Sequence, residues 1–258
     1  MSVPSAIRSP DMVRGLQERA ARALPADHVE NADGWLLRHA PGCSWWVGTV
    51  LPHADAGPGA LLRRVVAAEE FHAAHGTAPR FQISSGACPE DLDRVLAGRG
   101  YHRRCPMSLR VATTARVRQG EPKESLGVRL DDRPSRAWFA LWRAVHDRYG
   151  DWSAQRAMLD RVDRPSAYAS AMSGNDVVAV GRAVADDGWA GVFGMATLPE
   201  ARGRGAARGV LAALAHWAGT HAADRMYLQV ERDNPAALRL YRRAGFGEVC
   251  GYHYRTGS

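Results

Sequence analysis

The sequence predicts an α/β chain (α+β by strict usage) built from two related units, each a mixed, mostly antiparallel sheet flanked by helices. Three observations carry this. Short apolar strands alternate with amphipathic helices along all 258 residues. A polar, turn-rich stretch, TTARVRQGEPKES (Thr113 to Ser125), divides the chain. The order of elements before the divider then recurs after it. VLPHAD (Val50 to Asp55) matches TLPEAR (Thr197 to Arg202), and PEDLDRVLAGRGY matches PAALRLYRRAGF with one residue inserted. Matched points lie 145 to 147 residues apart. The units are expected at residues 1–114 and 126–258, with 115–125 as a linker.

In the first unit, DMVRGLQERAARAL has helical apolar spacing, and GWLLRHA and CSWWVGTVL read as strands. GALLRRVVAAEEFHAAHG is a helix stopped by Gly76. RFQISS is a strand, PEDLDRVLAGRG a helix and YHRRCPMSLRV a closing strand. The second unit opens with the strand LGVRL and the helices SRAWFALWRAVHDRYG and SAQRAMLDRV. AYASAM, DVVAVGRAV and WAGVFGMATL then form a meander turned at SGN and ADDG. An Ala-rich helix follows, with Val210, Leu211, Leu214, Trp217 and Ala218 on one face. RMYLQV (strand), PAALRLYRRAG (helix) and GEVCGYHYR (strand) complete the order.

Bulk properties narrow the function. No apolar run approaches the roughly 18 residues of a membrane span, and MSVPSAIRSPDMVRG has no apolar core behind a basic start, so no signal peptide is expected. Cys43, Cys88, Cys105 and Cys250 lack C-x-x-C spacing and read as reduced thiols of a cytoplasmic protein, with no metal site. Net charge is +7, and Lys123 is the only lysine among 34 basic residues. The arginines are spread rather than massed or interleaved with aromatics. That disfavours nucleic acid and suits a basic surface for an acidic small ligand.

The stretch PEARGRGAARG (Pro199 to Gly209) is the sharpest local signal. It stands between an apolar strand and the Ala-rich helix. A helix start leaves N–H groups without partners at the positive end of its dipole. Gly203 and Gly205 let a ligand approach the backbone, Ala206 and Ala207 keep the first turn open, and Arg202, Arg204 and Arg208 add charge. Together they suit a pyrophosphate. A glycine turn with solvated arginines is the plain alternative.

MATLPEARGRGAA and YLQVERDNPAALRLYRRAGF resemble the two linked motifs of the GNAT superfamily of acyl-coenzyme A N-acyltransferases. Asn234, Tyr241, Gly245 and Phe246 hold the second motif's places. The resemblance covers about Leu126 to Arg255 and implies a tandem GNAT-like chain with splayed central strands in its second unit. It implies acetyl-CoA as cosubstrate. Met195, Ala196 and Thr197 would pair with the pantetheine arm, and Gly203, Arg204, Gly205, Ala206, Ala207 and Arg208 would wrap the pyrophosphate. Arg202 would support the loop or a phosphate, and Asn234 would reach the pantetheine. Asn234 before Pro235 is also a good helix N-cap, and the two roles are compatible.

Amide formation from a thioester needs a neutral amine, a polarised carbonyl and a proton for the departing thiolate. Backbone N–H groups at the end of Trp189–Thr197 would polarise the carbonyl. By the resemblance Tyr241 is the proton donor and a cofactor neighbour; otherwise it is a core tyrosine. Many family members carry Glu five residues before the motif Asn, where this chain has Gln229. Glu231 is two residues on, so strand alternation puts it on the same face as a base, directly or through water. An exposed strand end is its plainer role. His146, Asp147 and Asp151 are weaker candidates, and a water chain is another.

The first unit has lost its cradle: Asp55 replaces Arg202, Pro58 between Gly57 and Gly59 has no N–H, Cys88 replaces Asn234, and nothing replaces Tyr241. It is expected to bind no coenzyme A and to complete the sheet or wall the acceptor pocket, or to engage a partner. The whole is expected to acetylate the primary amine of a small molecule (amino acid, polyamine or aminated natural product) by direct attack in a ternary complex. The protein is expected to be a monomer or homodimer with no membrane partner. A protein N-terminal or lysine acetyltransferase, and a non-catalytic acyl-CoA sensor or scaffold, are the alternatives.

Overall fold

The computed structural model describes residues 9–53, 58–120, 126–146 and 150–257. Eight strands form one sheet in the order β3-β10-β4-β9-β8-β7-β6-β5. The strands are β3 (Arg80–Ser84), β4 (His102–Thr113), β5 (Val128–Asp131), β6 (Ser166–Ser173), β7 (Asp176–Asp186), β8 (Trp189–Thr197), β9 (Arg225–Glu231) and β10 (Gly247–Thr256). All neighbours are antiparallel except β8 and β9. A hairpin of β1 (His28–Ala32) and β2 (Trp35–His39) joins β3 through isolated bridges, Leu36 to Leu51 and Val50 to Phe81.

The sheet is mixed and mostly antiparallel, as the sequence predicts, but the two units share it. β4 lies between β9 and β10, and β10 lies between β3 and β4. Each half therefore lends its closing strand to the other. The exchange follows the repeat: Met107 pairs with Glu231 and Ser84 with Tyr252, which are the same pair displaced by 145 and 147 residues. Met107 also faces Tyr252, its own counterpart, so an approximate twofold axis passes between them.

Helices α1 (Pro10–Ala23), α2 (Pro58–Ala74), α3 (Leu92–Gly98), α4 (Thr114–Arg118), α5 (Arg136–Val145), α6 (Trp152–Asp160), α7 (Ala206–Thr220) and α8 (Pro235–Arg243) cover the strands. On α7, Val210, Leu211 and Leu214 pack on Ala169, Ala183 and Met226. The opposite face of β6 and β7 offers Tyr168 and Val180 to Trp138, Leu141 and Trp142 of α5. On α1, Val13, Leu16 and Ala20 meet Leu109, Tyr227 and Tyr252 across the shared strands. A further core lies within the first half around Trp35, Phe81, Leu92 and Leu96.

Three elements depart from expectation. β1 is exposed and polar, so its sequence carries no period-two signal. The expected linker begins inside α4, capped by Thr113, whose hydroxyl accepts from the Arg116 amide; residues 121–125 lie outside the described chain. CSWWVGTVL is not a strand: residues 43–49 run as turns, and only Val50 and Leu51 bridge to strands. Local bonds replace the ladder there, Val47 N–H to Ser44 O at 2.9 Å and Thr49 Oγ1 to Trp46 O at 3.2 Å. The four cysteines are unpaired. Among the described residues no helix is long and apolar enough to cross a membrane, and no group of His, Cys, Asp or Glu is placed to hold a metal ion.

Candidate active site

The site opens where two neighbouring strands part. β8 and β9 pair only at Trp189–Arg225, Ala190–Met226 and Gly191–Tyr227, and beyond Gly191 their edges separate. The other edge of β8 carries a bulge: Arg182 faces Phe193 and Val180 faces Ala196, so Gly181 alone opposes Gly194 and Met195. Gly194 has φ +60°, which L side chains resist, and a Cβ there would lie 3.3 Å from Trp142 Nε1. Two glycines on adjacent strands thus let the backbone turn its polar groups into the gap.

A cavity of about 290 Å³ reaches into this gap. Gly194 and Met195 line it from β8, Gln229 and Glu231 from β9, and Asn234 and Tyr241 from the start and body of α8. The first half supplies the facing wall, with α1, Arg38, Trp45 and Trp46. Four of the residues expected at the site, Met195, Glu231, Asn234 and Tyr241, therefore share one space. Ala196 and Thr197 continue β8 beyond it toward the helix start.

At that start Gly203 and Gly205 both take left-handed conformations, φ +78° and +82°. Gly205 is the N-cap of α7 and offers no side chain to its amides. The N–H groups of Ala206 and Ala207 meet no acceptor among the described residues. Nothing lies within 4 Å of a Cβ at Gly203, so the backbone is open to a ligand. Arg202 and Arg204 are exposed and form no ion pair among the described residues. Arg208 differs: its Nε donates to Gly120 O, which ties α7 to the segment after α4.

Tyr241 is buried, and no group among the described residues hydrogen-bonds its hydroxyl. Burial pushes its pKa up to about 12, so it remains a donor. Its ring contacts Phe246 at 6.0 Å between centroids. Gly245 between them has φ +99°, and the Phe246 amide returns to Tyr241 O at 2.9 Å, which closes the helix and fixes the tyrosine. Asn234 caps α8, its Oδ1 accepting from the Ala237 amide at 3.0 Å. Glu231 is half-buried, and burial together with nearby Asp233 raises its carboxyl pKa. Gln229 shares its face and accepts from Tyr252 Oη at 2.6 Å.

His146 also lines the cavity, at the C-cap of α5. Burial lowers its pKa, opposed by a hydrogen bond to the Met195 backbone that braces the bulge. Asp151 is exposed and caps α6 through the Ser153 amide at 2.8 Å, away from the cavity. Asp147, Asp55 and Gly57 lie outside the described residues. Pro58 opens α2, and Cys88 is a buried core thiol bonded to Gln82 O at 3.5 Å. The sequence reading missed Arg38, Arg182, Trp45 and Trp46. Adjacent tryptophans and an arginine inside the apolar run DVVAVGRAV were the available signals, since a buried charge implies a partner.

Residues 11–255 match the family described as "Probable histone acetyltransferase Rv0428c C-terminal". A protein of Bacillus subtilis (strain 168), named "Uncharacterized N-acetyltransferase YobR", is 26% identical over 251 residues, which are 95% of this chain and 98% of that one. A GCN5-related N-acetyltransferase from Kribbella flavida has the same fold, with a TM-score of 0.73 at 18% identity over 95% of this chain and 94% of its own. A tandem GNAT protein of the clavulanic acid biosynthesis pathway follows the chain with a TM-score of 0.65 at 13% identity, over 96% of this chain and 87% of its own. The fold likeness to GNAT proteins spans both halves, and the family match spans nearly the whole chain, so the chain has the GNAT fold and belongs to the Rv0428c C-terminal family of acetyltransferases.

Proposed function

We propose that the chain transfers an acetyl group from acetyl-CoA to the primary amine of a small molecule, by direct attack in a ternary complex. The observation that carries this reading is the cavity at the β8–β9 gap, which the first half walls and which holds Glu231 and Tyr241 together. A cavity of about 290 Å³ suits a small acceptor.

Bound acetyl-CoA supplies the thioester; the chain supplies the rest. Gly203, Gly205, Ala206 and Ala207 present backbone to the pyrophosphate, with Arg202 and Arg204 adding charge. The freed edge of β8 from Met195 to Thr197 pairs with the pantetheine arm, and N–H groups at the bulge face the carbonyl oxygen. Glu231 takes the proton from the acceptor ammonium, and its raised pKa makes it the stronger base. As the C–N bond forms and the C–S bond breaks, Tyr241 gives its proton to the sulfur, and the second proton shed by the acylated nitrogen returns the phenol to its neutral form. The first half, lacking a cradle, acts as the wall of the acceptor space.

Acetylation of protein amines is the second reading, favoured by the histone acetyltransferase named in the family's description. Release of coenzyme A thiol, followed with a panel of free amines and a panel of peptides, separates the two. Turnover with free amines alone is expected; turnover with peptides alone would replace the first reading by the second.

A further inference from the structure

The acceptor cavity has a cationic wall that the acetyl-transfer step does not use. α1 ends at Ala23; the Leu24 amide donates to Ala21 O at 3.3 Å, and the carbonyls after it lie past the helical ladder, as at any helix C-terminus. Two arginines reach them. Arg38 Nη2 donates to Leu24 O at 2.6 Å and to Ala21 O at 3.4 Å, and Arg182 Nη2 donates to Ala23 O at 2.6 Å. Their relative exposures are 4% and 1%. Neither forms an ion pair among the described residues.

Capping explains part of this arrangement, because a helix C-terminus favours cations. It leaves a remainder. One cation suffices for one helix end, and here there are two. Arg182 Nη1 is buried with no hydrogen-bond partner, while the guanidinium carbon sits 5.1 Å from the centre of the Phe193 ring. Both arginines and Phe193 line the cavity. The other polar groups at this wall are neutral: Gln17 is bonded to Ser84, and Gln155 to Ser44. Among the described residues, the one acidic residue lining the cavity is Glu231, at the β9 end.

The cavity is therefore polarised, with a base at one pole and two buried guanidinium groups, one donor unfilled, at the other. A planar carboxylate matches the guanidinium fork and would supply the missing acceptor. We propose that the acceptor is an amino acid, its carboxylate held by Arg182 and Arg38 and its amine presented to Glu231 and the β8–β9 gap. This narrows the small-molecule reading above and rests on it. A polyamine, with charge of the wrong sign for this wall, is rejected.

The test compares wild-type enzyme on matched pairs, each an amino acid and its decarboxylated amine (phenylalanine and phenethylamine, lysine and cadaverine), with ethanolamine phosphate as an alternative anion. The amino acid of a pair is expected to have the higher kcat/KM by about 10- to 100-fold, the scale of one hydrogen bond to a charged group. Arg182→Met and Arg38→Met are expected to raise KM for the amino acid and spare kcat and the decarboxylated amine. Arg182→Lys is expected to restore part of the preference, with acetyl-CoA binding by calorimetry as the check on folding. Equal rates within the pairs, or a preference for ethanolamine phosphate, would overturn this proposal and leave the small-molecule reading standing. Turnover of peptides alone would overturn both. The wild-type comparison decides even where a variant does not fold.

Discussion

Tyr241 and Glu231 differ in what burial does for them. Burial holds the phenol near pKa 12, protonated throughout the working range, and makes the carboxyl a better base by raising it. Tyr241→Phe is expected to lower kcat by about 10- to 100-fold with KM for acetyl-CoA nearly unchanged, since the loss falls on the leaving group. Glu231→Gln is expected to cost about 100-fold and to remove the acid limb of the kcat/KM profile. That limb lies at higher pH than an exposed glutamate would give. If the limb survives in Glu231→Gln and vanishes in His146→Gln, the base is His146. The place of both residues on the cavity wall was legible: Tyr241 from its motif, and Glu231 from alternation with Gln229. Arg182 was visible as a charge in an apolar strand, but its partner carbonyl is 159 residues away in sequence. No local pattern could name it.

At the scale of elements, the glycine turn and helix start between β8 and α7 are legible in the sequence because they are local: two glycines at positive φ and the first residues of α7. Replacing Arg204 and Gly205 with glutamate places two carboxylates where phosphates are expected and strains a left-handed position. Acetyl-CoA binding measured by calorimetry is expected to fall by at least about 100-fold. Binding that survives would move the cofactor elsewhere, with the stretch from Asp55 to Gly59 as the first place to look. Residues 43–49 were misread for a physical reason. Alternation of apolar residues signals a strand only when both edges find partners, and this segment bonds to itself. Its tryptophans are apolar because they wall the cavity: Trp45 stands edge-on to Tyr254 at 4.7 Å, and Trp46 packs with the cluster around Trp138.

The whole molecule is held by an exchange that a repeat offset could suggest but not specify. An offset of 145 to 147 residues shows that the halves are related; it is silent on whether each closing strand pairs at home or across. The pairing is across: β4 lies between β9 and β10, which share no backbone ladder. Residues 126–258 produced alone would leave the inner edges of β9 and β10 unpaired. They are expected to be insoluble or to lack the native circular dichroism spectrum, and co-expression with residues 1–125 is expected to restore both fold and acetyl transfer. An active, folded 126–258 fragment would show that β4 is dispensable.

The same exchange bears on how the protein is made. β10 begins at Gly247, 134 residues after β4 ends at Thr113. At about 5–20 residues per second, a ribosome needs roughly 7 to 27 seconds to cover that distance. For much of it β3 and β4 wait without the strand that separates them in the finished protein. Co-expressed chaperones are therefore expected to raise the yield of folded protein when synthesis is slow.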